Sequence, residues 1–388
     1  MSVGIDEISF YTPNYYLDLR TLAKAKNIEV EKYYNGIGQE KMSMPGHDED
    51  IVTMAANAAK PIIDHTDTSS IRTLLFATET GVDQSKSAGV YAHRLLGLSP
   101  NCRVVELKQA CYSATAAIQM ACALVARQPE QKVLVLASDI ARYDLGSPGE
   151  ATQGCGAVAM VVSAKPRLVE IDPDVGNFAE DVMDFWRPNY RSNALVDGKY
   201  STKVYLHSLK KAWENFVHSS SLAFTNFSHF CYHLPFSRMA EKAHRHLSRI
   251  NNSTLNLEAM TRQFEDSLHY NRVIGNSYTA SIYISLVSLL ENCKHDLEGK
   301  KIGFFSYGSG CVSEFFSGTV VSGYDKFLHT LGHQKMLAER EEVDYETYLA
   351  LYHYPEYTDG EAHSFEAMTK GHFRLAGVNG HKREYVSC

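Results

Sequence analysis

The sequence predicts an α/β protein built as two related halves, with helices packed on and between sheets that are covered on both faces. Three observations lead there. The strand-sized runs at 71–79, 132–139, 227–233 and 301–307 are almost continuously apolar, the pattern of strands buried on both sides rather than the alternation of a half-exposed sheet. A strand–helix–strand order occurs in each half of the chain, which suits helical crossovers packed against a sheet. Polar residues stand at the strand ends and helix starts, namely Glu79, Cys111, His233 and Asn276, and side chains at such places converge on one crevice in folds of this kind.

Taken in order, residues 1–10 read as a first strand, closed by Tyr11-Thr12-Pro13. The strand at 71–79 runs into Glu79. A strand at 103–107 leads to Cys111 and a small-residue helix over 111–127, and the strand at 132–139 follows. Thr152-Gln153-Gly154 is a polar turn into a further buried strand. Residues 172–200 read as irregular. Residues 201–270 read as mostly helical, with aromatic anchors at Tyr205, Trp213 and Phe216, interrupted by the strand that ends at His233. A helix over 277–290 precedes the strand at 301–307, which opens into Gly308-Ser309-Gly310. A final strand at 318–321 gives way to a charged, tyrosine-rich surface extension of helical character. The expected division is 1–168, 169–325 and 326–388, with Glu79 and Cys111 in the first part and His233 and Asn276 in the second.

Composition narrows the function classes. The chain has 388 residues, 44% hydrophobic and 21% charged, so it can bury a substantial core. A formal net charge of −7 disfavours bulk binding to nucleic acid or an anionic membrane, while leaving room for a local basic patch. The first ten residues carry neither a basic segment nor an apolar one of the secretory kind, and no apolar run is long enough to span a bilayer. A cytoplasmic protein is expected. Eight cysteines lie at 102, 111, 122, 155, 231, 293, 311 and 388, none in a CxxC pair, so free thiols are expected and zinc is not.

Cys111 admits two readings. It can be a buried small hydrophobe, as most free cysteines are. It can also be a nucleophile, because N–H groups opening a helix stabilise a thiolate and lower the thiol pKa. His233, followed by Leu234-Pro235, is either a satisfied core histidine or a neutral imidazole that bonds a carbonyl or moves a proton. Glu79 is either a strand-end carboxylate in water or, in a dry crevice, a proton shuttle with a raised pKa. Asn276 is an N-cap or a holder of a substrate carbonyl. Arg238 and Lys242, four apart, form a solvated helix face or a clamp on phosphates. The loop at 307–311 lacks a full nucleotide-binding pattern and reads as backbone packed against a ligand, with Cys311 structural.

Together the motifs Gly36-Ile37-Gly38-Gln39, Glu106-x-x-x-x-Cys111-Tyr112, Tyr143 with Thr152-Gln153-Gly154, Asp184-Phe185-Trp186-Arg187-Pro188, Val196-Asp197-Gly198 with Ser201, His233-x-Pro235-Phe236, Gly275-Asn276 and Ser306-Tyr307-Gly308-Ser309-Gly310 resemble the 3-hydroxy-3-methylglutaryl-CoA (HMG-CoA) synthase family in its shorter bacterial form. The resemblance runs from about residue 2 to about residue 322. It implies a thiolase-like fold of αβαβα layers and a homodimer. It implies that Cys111 carries an acetyl group from acetyl-CoA, that Glu79 is the acid/base of a Claisen condensation with acetoacetyl-CoA, and that His233 assists at the acceptor carbonyl. Asn276, Ser309 and Tyr143 match acyl-pocket positions; Thr152, Ser201, Arg238 and Lys242 match positions near the CoA arm. No metal and no cofactor beyond CoA thioesters is implied. A carrier-protein-dependent relative of the same chemistry, and a thiolase or ketoacyl synthase, are the rival readings. The family's second-cysteine signature of thiolases is missing, and Glu79 sets the chain apart from ketoacyl synthases.

Overall fold

The computed structural model describes residues 1–388. Its principal elements are β1 (Val3–Tyr11), α1 (Ile51–Ile63), β2 (Ile71–Ala77), β3 (Arg103–Leu107), α2 (Ser113–Arg127), β4 (Lys132–Ala141), β5 (Gly154–Ala164), β6 (Val169–Ala179), α3 (Gly198–Ser220), β7 (His229–Tyr232), α4 (Arg238–Ile250), α5 (Ser281–Asn292), β8 (Lys301–Gly308) and β9 (Val312–Val320). The nine strands follow the order β7-β8-β9-β6-β1-β5-β4-β2-β3. The two halves meet edge to edge through only two residue pairs, Gly4 with Glu170 and Ile5 with Val169.

The duplication expected from sequence is written in the pairing. In the first half β1 pairs antiparallel with β5, β5 antiparallel with β4, and β4 parallel with β2. In the second half β6 pairs antiparallel with β9, β9 antiparallel with β8, and β8 parallel with β7. β3, parallel to β2, has no counterpart. In this correspondence α2 and α5 are equivalent helices, each leading into a strand of its own half.

Alternation along the strands sorts the core into layers. Leu75, Ala77, Val133 and Val135 from the first half, and Ile302, Phe304 and Phe316 from the second, share one cluster with α2 and α5. The intervening residues face outward: Leu74, Phe76, Leu134 and Leu136 pack on α1, while Phe230, Phe305 and Phe315 pack on α3 and α4. The stack is helix, sheet, helix pair, sheet, helix. The two central helices are made for this place. α2 presents Ala114, Ala117 and Ala121 to its neighbours, and α5 is buried from Ser281 to Leu290, as a helix enclosed on every side must be. Asp50 starts α1 by accepting the N–H groups of Val52 and Thr53, while Thr53 caps back. No helix is long and apolar enough to cross a membrane.

Two expectations are corrected. The stretch 172–200 is not irregular throughout: β6 occupies 169–179, and Phe185–Trp186 pairs with Leu195–Val196. Asp172, Pro173, Asp174 and Gly176 hide the strand from a hydrophobicity count, because half of it faces outward. Gly176 is required there, since a Cβ would meet Ala212 O at 2.0 Å on α3. The tail is also more than a helical extension. Helices Thr330–Ala338 and Tyr345–Tyr352 are followed by a three-stranded sheet of His363–Ser364, Phe373–Asn379 and Lys382–Ser387. Phe373, Leu375 and Tyr385 join the core around α1, and Tyr385 donates to Asp50 at 2.6 Å.

Candidate active site

The turn before α2 presents Cys111. Ala110 takes the left-handed region at φ +44°, and the Ser113 hydroxyl accepts the Gln109 N–H at 2.5 Å. Gly308 of the 307–310 loop lies directly on this turn, where a Cβ would meet Gln109 O at 2.5 Å. The Cys111 thiol, 7% exposed, donates to Glu79 Oε1 at 3.0 Å. Around the sulfur stand Ala141, Tyr143, Phe185, Ala194 and Tyr278, an apolar wall that keeps water away.

Glu79 lies two residues past the end of β2, and its backbone is fixed by Asp139 at the equivalent level of β4. Asp139 accepts the Glu79 and Thr80 N–H groups at 2.9 and 3.0 Å. It also accepts the hydroxyls of Thr78, Thr80 and Thr279 at 2.7, 2.6 and 2.5 Å. The Arg187 guanidinium donates to Glu79 O. Burial first, and the Asp139 charge second, raise the Glu79 carboxyl to about 8.

The thiol does not follow the expectation of a lowered pKa. Burial pushes Cys111 well above the ordinary thiol value, and the Glu79 charge adds to the shift. The reason is local. Two of the N–H groups opening the helix are already engaged, Tyr112 to Gln109 O at 3.1 Å and Ser113 to Ala110 O at 3.4 Å, so the sulfur has its own backbone N–H as a donor, and the lowering this gives is outweighed by burial and the neighbouring carboxyl. The site holds a thiol hydrogen-bonded to a carboxyl, not a standing thiolate.

His233 follows β7. Its N–H donates to Phe305 O at 2.8 Å and its carbonyl accepts the Tyr205 hydroxyl at 2.9 Å. Its Nδ1 meets Ser281 Oγ at 2.8 Å, at the start of α5. Ser281 Oγ accepts the Leu234 N–H at 3.3 Å and has Nδ1 as the one acceptor for its own proton; with the hydroxyl donating to Nδ1, the hydrogen of the neutral ring lies on Nε2. Burial lowers His233 to about 3, so the ring is neutral and Nε2–H is a donor.

The other candidates fall into two groups. Asn276 receives structure from the first half: its N–H donates to Thr152 O at 3.1 Å, and its Oδ1 accepts the Tyr278 N–H at 2.9 Å. Gly275, at φ +89°, is pressed on Gln153, where a Cβ would lie 2.1 Å from the carbonyl oxygen. Tyr143 lines the cysteine wall, and the Ser309 carbonyl accepts Gln109 Nε2 at 3.2 Å beside the cysteine turn. Ser201 donates to Asp184 at 3.0 Å, and the same carboxylate accepts the Tyr307 hydroxyl at 2.5 Å and the Gly310 N–H at 2.9 Å. Arg238 and Lys242 stand apart. Arg238 begins α4, pairs with Glu241 at 2.7 Å and lines a cleft of about 490 Å³ with Arg245 and Arg272; Lys242 lies 5.1 Å over the Phe236 ring. A cavity of about 560 Å³ between β1 and the tail holds none of Cys111, Glu79 and His233.

The family models described as "Hydroxymethylglutaryl-coenzyme A synthase N terminal" and "C terminal" match residues 1–166 and 169–258 with 253–385. The chain belongs to the hydroxymethylglutaryl-CoA synthase family. Its fold is therefore thiolase-like, and the likeness reaches past residue 322 into the tail. A hydroxymethylglutaryl-CoA synthase of Enterococcus faecalis is 42% identical over 353 residues, covering 91% of this chain and 92% of that one. The polyketide-biosynthesis 3-hydroxy-3-methylglutaryl-ACP synthase PksG of Bacillus subtilis is 35% identical, covering 91% and 88%. A crystal structure of an HMG-CoA synthase complexed with CoA superposes with a TM-score of 0.95 at 39% identity and full coverage of both chains.

Sequence reasoning assigned no role to Asp139, Ser281 or Glu314. The threonines at 78, 80 and 279 are the trace that Asp139 leaves, but nothing along the chain brings 279 next to 139. Glu314 on β9 accepts the Tyr112 hydroxyl at 2.7 Å and Gln119 Nε2 at 2.6 Å, joining the start of α2 to the opposite half.

Proposed function

We propose that this chain condenses acetyl-CoA with acetoacetyl-CoA and water to give HMG-CoA and CoA, as an acyltransferase of the mevalonate route to isoprenoids. The observation that carries the reading is the hydrogen bond from Cys111 Sγ to a carboxyl that burial has raised to about 8. That carboxyl is a base able to work near neutral pH.

In the first step the Cys111 sulfur attacks the acetyl carbonyl. Its proton passes to Glu79, CoA leaves as its thiol on taking that proton, and the acetyl group stays on Cys111. In the second step Glu79 removes a methyl proton from the acetyl thioester, and the carbon so freed attacks C3 of acetoacetyl-CoA. The His233 Nε2–H donates to the C3 oxygen where negative charge develops, and that oxygen takes the proton held by Glu79, giving the C3 hydroxyl and restoring the carboxylate. Water then cleaves the bond to Cys111, releasing HMG-CoA and restoring the thiol. Asn276, Tyr143 and Ser309 shape the acyl pocket; Thr152, Ser201, Arg238 and Lys242 border the CoA arm.

The same reading includes the parts 1–168, 169–325 and 326–388, supported by the repeated strand pairing; a homodimer; a cytoplasmic place; CoA thioesters as substrates with no further cofactor; and no nucleic-acid or membrane partner, in keeping with the net charge of −7. Intact-protein mass spectrometry tests the core of it. Incubation with acetyl-CoA is expected to add one acetyl group at Cys111, and acetoacetyl-CoA to discharge it as HMG-CoA. No adduct at Cys111 ends the proposal. Discharge by carrier-linked acetoacetate but not by acetoacetyl-CoA transfers the chain to the carrier-dependent reading.

A further inference from the structure

We propose that His229, Asp266 and Cys293 form a binding site for a soft divalent cation, with Zn2+ the best-matched ion. The three residues come from separate elements: His229 begins β7, Asp266 lies in the short turn Glu265–Ser267, and Cys293 ends α5. One donor atom from each lies within 4.8 Å of the others, and all three residues are half-buried. His229 Nε2 and Cys293 Sγ are 3.9 Å apart. A tetrahedral zinc ion holds such a pair roughly 3.5 Å apart, so a shift of a few tenths of an ångström brings the nitrogen and sulfur to that separation.

The imidazole is already oriented for a metal. Its Nδ1 meets Ser228 Oγ at 3.1 Å, and that hydroxyl donates its only proton to Lys301 O at 3.1 Å. Nδ1 therefore carries the ring hydrogen, and Nε2 turns a lone pair toward Cys293, with the outer contact fixing the tautomer as it does for metal-bound histidines. Asp266 is held by the Ser288 hydroxyl on its carbonyl at 2.7 Å, and His269 Nε2 stands 3.5 Å from its Oδ1. As the sulfur–metal bond forms, the Cys293 thiol gives its proton to solvent. A sulfur–nitrogen–oxygen set suits Zn2+ and its analogues and not the all-oxygen preference of Mg2+ or Ca2+. Three protein donors leave one position for water. The donors are separated by 37 and 27 residues along the chain, 229 to 266 to 293, so no local spacing motif marks them.

The site lies at the far ends of the two elements that hold the catalytic histidine. β7 carries His229 at its start and His233 just past its end; α5 carries Ser281 at its start and Cys293 just past its end. A bound ion ties these elements together without touching the acyl chemistry.

The full chain, stripped with a chelator, is titrated with Co2+ and then Zn2+. One equivalent of Co2+ is expected to give thiolate charge-transfer absorption and the visible bands of a tetrahedral ion, which Zn2+ abolishes. Zn2+ is expected to raise the Tm. Both responses are lost in Cys293→Ser and in His229→Gln, and kept in Cys388→Ser and Cys111→Ala. If Cys293→Ser does not fold, His229→Gln decides. No cobalt–thiolate absorption in the wild type, or absorption that survives in folded Cys293→Ser or His229→Gln, overturns the proposal.

Discussion

β2 and β7 hold equivalent places in the two halves, and each delivers a titratable side chain just beyond its end, Glu79 from the first and His233 from the second. Burial acts on both and moves them in opposite directions: the carboxyl rises to about 8 and the imidazole falls to about 3. Each group is pushed toward its neutral form, because the charged form is the one that loses water. The halves differ in what surrounds that shared place. Glu79 has a second carboxylate behind it, Asp139, and a thiol in front. His233 has a serine hydroxyl behind it and an unbonded Nε2–H. One duplicated scaffold thus makes a proton acceptor that works near neutral pH and a fixed donor that does not titrate there.

This asymmetry can be broken from either side. The largest effect is expected from Glu79→Gln: Cys111 still becomes acetylated, but condensation falls by about 10³-fold, read by mass spectrometry and by HMG-CoA formation. Normal condensation in that variant removes Glu79 from the mechanism. His233→Ala is expected to lower kcat/KM for acetoacetyl-CoA by about 10²-fold and to alter acetylation far less; equal losses in both steps make the ring structural. A pH series sharpens the contrast. Condensation by pre-acetylated enzyme should rise about tenfold per unit up to a break near pH 8, as the Glu79 carboxylate appears, with no limb from His233 between pH 5 and 9.

Stability moves the other way. A folded-state pKa above the unfolded value means that the native carboxyl keeps a proton the unfolded chain has released, so stability is lost as pH rises from about 4.5 to about 8. Glu79→Gln is therefore expected to be more stable than the wild type at pH 8, by an amount on the order of 2–4 kcal/mol, with the gain gone below pH 4 in thermal unfolding. The smallest expected change is Tyr352→Phe, which removes a bond of 2.6 Å to Tyr143 O and costs about 1 kcal/mol together with a modest rise in KM.

Much of this was legible in the chain because burial leaves an unbroken apolar signature. The runs at 71–79, 132–139 and 301–307 declare covered strands, and small residues such as Ala114 and Ala117 declare a helix that must sit close to other backbone. The candidate residues at strand ends follow from the same pattern. What stayed hidden depends on contacts between distant segments. β6 has too many polar residues facing outward to be read as a strand. The direction of the Cys111 shift turns on where two N–H groups are engaged and on a carboxyl 32 residues away, and neither is a property of the local sequence. The tail reads as surface because its few buried residues, Phe373, Leu375 and Tyr385, are spaced among charges.

The placement of Tyr352 also has a consequence for the order in which the protein is made. Its hydroxyl reaches Tyr143 O, and Tyr348 donates to Glu150 Oε1 at 3.1 Å. These braces leave the ribosome some two hundred residues after the Tyr143 and Glu150 they hold. During synthesis Cys111 is translated early and its surroundings are framed late, so the wall around it is complete only once nearly the whole polypeptide has emerged.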